Sequence, residues 1–115
     1  MDEQRARAQL QAERARVEEL LKLRLAAEEE AKEAAASETG DRSDRAEPLT
    51  AEEVEDAVAA GLGERLAAIE RAEKRLEQGT YGRSILSGLP IPDERLEADP
   101  TAELTVEEAE RERVR

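Results

Sequence analysis

Asp41 and Asp44 stand three residues apart in the polar stretch 37–48, SETGDRSDRAEP. Two carboxylates so placed can meet a cationic surface or a metal held by another molecule. On their own they are most often the solvated acids of a turn, bonded to nearby backbone. Thr105 and Glu108 have the spacing of a helix capping box, as do Thr50 and Glu53. Chemistry beyond this is sparse. The chain has no histidine, which removes the commonest general base at neutral pH and the commonest zinc ligand. It has no cysteine, so neither a disulfide nor a thiolate metal site is available. There is no Gly-rich phosphate loop and no core deep enough to shift a carboxylate for acid–base work. An enzyme is not expected. Acid pairs such as Glu52 and Glu53 are explained by the positive end of a helix dipole.

The elements that must position these residues are helical. The 115 residues are 38% hydrophobic, 1% aromatic and 42% charged, and much of the apolar share is alanine. Such a chain builds one domain at most, with no large core. Residues 3–38 contain neither Pro nor Gly. Leu10, Val17, Leu20, Leu21 and Leu25, then Ala27, Ala31 and Ala34, recur near helical spacing, so a partner helix is expected to pack along that stripe. Gly40 is a natural stop, Asp41, Ser43 and Asp44 suit a turn, and Pro48 ends the connection. Thr50 then caps a second helix, with Leu49 and Val54 placed as a hydrophobic staple. Val54, Val58, Leu62, Leu66, Ile69, Ala72 and Leu76 step along one face until Gly79. Gly61 and Gly63 weaken that helix by about 1 kcal/mol each relative to alanine. Two long helices and a short connection predict an antiparallel hairpin. Residues 80–104 read as loop, with Tyr81, Ile85, Leu86, Leu89, Ile91, Leu96 and Leu104 forming a small apolar cluster. A last helix starts at Leu104, Thr105 and Glu108.

The segment GTYGRSILSGLPIPDERLEADPTAELTVEE resembles the C-terminal finger of the DksA/TraR family. That family reads G-T-Y-G-x-C-x-x-C-G-x-x-I-P-x-x-R-L-E-A-x-P-x-A-x-x-C-x-x-C. Gly79, Thr80, Tyr81, Gly82, Gly88, Ile91, Pro92, Arg95, Leu96, Glu97, Ala98, Pro100 and Ala102 match without gaps. The four zinc cysteines are replaced by Ser84, Ser87, Thr105 and Glu108. Hydroxyls are weak zinc ligands and one carboxylate cannot compensate, so no zinc is expected. A hydrogen-bonded helix start and the apolar cluster are expected in its place. Upstream, Asp41, Asp44 and Ala46 resemble the D-x-x-D-x-A motif at the family's hairpin tip.

The resemblance implies an all-α fold: a coiled-coil hairpin over residues 1–78 with its tip at 39–49, then a degenerate finger and C-terminal helix over 79–115. It also implies a cytoplasmic bacterial regulator that puts its tip into the secondary channel of RNA polymerase and modulates initiation. Asp41, Asp44 and Ala46 would be the polymerase-contacting residues. Basic and polar residues on the second helix serve ppGpp in some members. Here Val58, Gly61 and Ala68 stand there with Arg65 as the one nearby base, which argues against an alarmone response.

Charge placement supports the same reading. Residues 28–56 hold twelve acids and three bases, −9 of the formal −12. An acidic pole can be steered to a positive channel. The same bias argues against direct nucleic-acid binding, which needs clustered Lys and Arg. No apolar run is long enough for a membrane span, and the charged start MDEQRARAQ is not a signal peptide. The rival reading is a self-associating coiled coil without polymerase contact. A monomer favours the hairpin, and a tight dimer favours the rival.

Overall fold

The computed structural model describes residues 1–37 and 50–114. The expectations at Gly40, Asp41, Ser43, Asp44, Ala46, Pro48 and Leu49 lie outside the described residues. The elements are α1 (Glu3–Ser37), α2 (Ala51–Gln78), α3 (Asp93–Ala98) and α4 (Val106–Arg113). The fold is all-α, and the described residues contain no strand beyond an isolated antiparallel bridge of Arg83 with Pro90.

α1 is long because good helix formers run for 35 residues without a breaker, a rod of roughly 50 Å. Thr50 Oγ1 accepts the Glu53 amide at 3.0 Å, the forward half of the expected box, and so starts α2. Gly79 ends it in the left-handed region at φ 77°. There the Gly79 amide reaches the Leu76 carbonyl at 3.3 Å and Thr80 reaches that of Arg75 at 2.9 Å.

The two helices pack antiparallel, but only over the half nearer the chain's C-terminal base. Ala6, Leu10 and Val17 of α1 bury against Ile69, Ala72 and Leu76 of α2, and Leu21, Leu62 and Leu66 extend the contact half-buried. Further out the expected stripe is not used. Leu25 is 62% exposed, and Leu20, Val54 and Val58 are exposed as well. Ala27, Ala31 and Ala34 also face solvent. Leu20 and Leu21, being adjacent, point about 100° apart, so only one can face the partner. Beyond Leu21, alanines and charged side chains bury too little area to hold the pair together. Polar contacts serve there instead. Arg24 bonds both the carboxylate and the carbonyl of Glu55. Nearer the base, Arg14 grips Glu73 through Nε at 3.2 Å and Nη2 at 2.5 Å.

α2 runs unbroken through Gly61 and Gly63, and a Cβ built on either meets nothing within 4 Å. Gly61→Ala and Gly63→Ala should therefore each stabilise the protein by about 1 kcal/mol. Urea unfolding of both variants checks this. A loss of stability would mean that the helix needs these glycines.

The base is partly unlike the expectation. Its cluster is Ile91, Leu96 and Ala102, and Met1 and Tyr81 pack against both this cluster and the hairpin core. Ile85, Leu86 and Leu89 lie outside it at 58, 62 and 58% exposure, and Leu104 is half-buried but is not part of it. The chain reverses tightly at 84–88, with Ser84 and Leu89 joined by a 2.8 Å backbone bond, so the apex side chains project outward. The stretch 80–104 is also not loop throughout. α3 forms within it because Pro92 starts a turn whose first residues, Asp93 and Glu94, suit a helix N-terminus. Arg95 and Leu96 amides both bond the Pro92 carbonyl, at 3.0 and 3.2 Å. α3 places Leu96 against Gly82, whose φ of 83° lets the backbone turn there.

Candidate functional site

The four residues that stand where the resembled family has cysteines come together. Ser84 and Ser87 belong to the tight reversal that follows Tyr81, and Thr105 and Glu108 form the first turn of α4. Gly88, at φ 76°, donates its amide to the Ser84 carbonyl at 2.9 Å and closes the reversal. Inside it the amides of Leu86 and Ser87 donate to Ser84 Oγ at 3.1 and 3.2 Å. The Ile85 amide donates to the Glu103 carbonyl at 2.9 Å and ties the reversal to the approach of α4.

Glu108 is the hub. Its Oε1 accepts the Thr105 amide at 2.9 Å, while its own amide donates to Thr105 Oγ1 at 3.2 Å, completing the expected capping box. The hydroxyls of Ser84 and Ser87 lie near the same carboxylate and lower its pKa. Ser84, Thr105 and Glu108 are all buried. The Ser84 hydroxyl, then that of Ser87, then the Thr105 amide hold the Glu108 carboxyl at a pKa of about 2, against the opposing pull of burial. A buried anion is tolerable here because several donors meet it. This donor set does not fit zinc. It offers three hydroxyls and a carboxylate already committed to hydrogen bonds, and the described residues contain no cluster of three or more His, Cys, Asp or Glu able to hold a metal.

A second network fixes the base to the hairpin, and the sequence reading missed it. Arg65 Nη1 donates to Asp99 Oδ1 at 3.0 Å and to Thr101 Oγ1 at 2.7 Å, and Arg65 Nε reaches Glu13 at 3.4 Å. Thr101 donates its amide and hydroxyl to the same Asp99 oxygen, at 3.0 and 2.8 Å. Burial alone would raise the Asp99 pKa, but the bonds from Thr101 and Arg65 outweigh it and the carboxyl is lowered. Tyr81 donates its hydroxyl to the Pro100 carbonyl at 2.8 Å, and Arg95 Nε donates to that of Leu104 at 2.8 Å. Arg71 and Arg75 both bond Glu103. No spacing rule links partners this far apart in the chain.

The structure thus brings together Ser84, Ser87, Thr105 and Glu108. Asp41, Asp44 and Ala46 belong to the segment between α1 and α2, outside the described residues. Among the described residues no helix is long and apolar enough to cross a membrane.

A long helical hairpin seated on a small loop-and-helix base is the architecture of a DksA-like fold, and the chain has that fold. It is similar to the solved structure of transcription factor DksA2 from Pseudomonas aeruginosa, with a TM-score of 0.75 and 24% sequence identity, over 96% of this chain and 82% of that one. No family model matches the sequence, and no curated protein does.

Proposed function

We propose that this protein is a transcription regulator, not an enzyme, that binds RNA polymerase directly and presents Asp41 and Asp44, with Ala46, to the secondary channel to modulate initiation. The observation that carries this reading is the DksA-like fold over 96% of the chain, joined to the ordered finger match from Gly79 to Ala102. The acidic stretch 28–56 supplies the charge that a positive channel would attract. The base works without zinc, on the Glu108 hydrogen bonds. Arg65 is already engaged by Asp99, Thr101 and Glu13, so the stretch holding Val58, Gly61 and Ala68 lacks a spare base for ppGpp. The protein acts as a cytoplasmic monomer, because the buried seam of α1 is spent on α2 of the same chain.

The test is co-purification with core polymerase and transcription in vitro, comparing wild type with the Asp41→Ala, Asp44→Ala double variant. Binding should survive in part, through the hairpin and base, while the transcriptional effect is lost. Unchanged transcription by the variant would remove the role given to the tip. Metal analysis of the same preparations should find well under one zinc per chain, and sedimentation should find a monomer. A tight dimer that ignores polymerase would favour the coiled-coil rival.

A further inference from the structure

The protein is strongly acidic, yet one of its grooves is basic. A depression of about 590 Å³ lies between the last turns of α2 and the reversal at 83–88, walled by Arg71, Lys74, Arg75 and Arg83, with Glu103 as its acid. Glu103 is already shared. Arg71 holds it through Nε and Nη2 at 3.1 and 3.3 Å, and Arg75 through Nη1 at 3.0 Å. Arg75 Nη2 is buried without a hydrogen-bond partner. Arg83 donates to a backbone carbonyl, that of Gly88 at 3.1 Å, rather than to an acid. Lys74 has no ion-pair partner among the described residues. Four cations therefore share one carboxylate in a chain that carries 30 acids.

Ile85 also lines this groove, and it is 58% exposed. Protein interfaces combine an apolar anchor with a polar rim, and charge complementarity selects the partner. An exposed isoleucine beside under-neutralised cations fits an acidic peptide segment that carries an aliphatic side chain. A small inorganic anion would leave Ile85 unused, and the net charge of −12 repels a nucleic acid.

We propose that this groove docks an acidic, aliphatic-bearing surface segment of the polymerase, giving the base its own grip apart from the hairpin tip. This rests on the reading that the chain binds polymerase. Two variants of the full chain, labelled for fluorescence anisotropy and titrated with core RNA polymerase, test it. Lys74→Glu with Arg83→Glu should weaken binding roughly tenfold or more and reduce its dependence on salt. Ile85→Ser should weaken it by about three- to tenfold with little change in salt dependence. Neither Lys74 nor Arg83 makes an ion pair with a described residue, so circular dichroism should show both variants folded. If the charge-reversed chain does unfold, Lys74→Ala and Ile85→Ser decide the matter.

A photocross-linker at position 85 should capture a polymerase segment rich in Asp or Glu. If wild type binds polymerase and the charge-reversed chain binds as tightly, the groove is not a docking site, and the proposed function stands without it. A cross-link to a segment without acids overturns the inference in the same way. If wild type does not bind polymerase at all, the function and the groove fall together.

Discussion

Glu108→Ala should loosen the whole base and lower the melting midpoint by on the order of ten degrees. The substitution removes the acceptor of the buried Thr105 amide and the carboxylate that the buried Ser84 hydroxyl lies against, while Ser87 is exposed and can turn to water. Buried donors left without an acceptor are far more costly than the net worth of the bonds they made. Glu107→Ala, one residue away and exposed, is the control and should change little.

The same carboxylate makes stability depend on pH with a definite sign. Glu108 is held at about 2, below its ordinary 4.5, so the folded protein binds that proton less tightly than the unfolded chain does. Its contribution is fully present above about pH 4.5 and is lost progressively as pH falls towards 2. Asp99, also lowered, acts in the same direction. Urea midpoints measured from pH 7 down to pH 3 should therefore fall. The gap between wild type and Glu108→Gln should narrow over that range. Parallel profiles for the two proteins would mean that Glu108 is not the anion that the hydroxyls hold.

Leu10→Ala or Ile69→Ala should each cost about 2–5 kcal/mol, because both side chains are fully buried where α1 meets α2. Stabilities of whole domains are only about 5–15 kcal/mol, so either change should shift much of the population towards the unfolded state at moderate urea. Leu25→Ala, on the same helix, should stay within about 0.5 kcal/mol, since Leu25 is 62% exposed. Both leucines belong to one stripe in the sequence, so the comparison isolates what packing adds. Equal losses at Leu10 and Leu25 would show that the outer parts of α1 and α2 are packed after all.

Helix boundaries were legible because they depend on neighbours in the chain. Thr50 caps α2 through an amide three residues on, Gly79 ends it through two carbonyls in the preceding turn, and Thr105 and Glu108 close their box within one turn. Six residues of α3 escaped notice although Pro92, Asp93 and Glu94 carry the start signal, because the surrounding prolines and glycine argued for loop. The apolar pattern also misled at Leu20, Leu25, Ile85, Leu86 and Leu89. Hydrophobicity says what a side chain would prefer, not whether a partner surface reaches it.

The sequence by itself determined the helical class, the caps, the acidic stretch and the absence of any thiolate, since each follows from residue type and short-range spacing. Only the tertiary structure decided how far the hairpin stays packed, that Ser84 and Ser87 meet Glu108, and that Arg71, Lys74, Arg75 and Arg83 face one another around a single acid. Those outcomes join residues tens of positions apart. They depend on where the close of one reversal and the end of one helix bring the backbone, a geometry that no local propensity encodes.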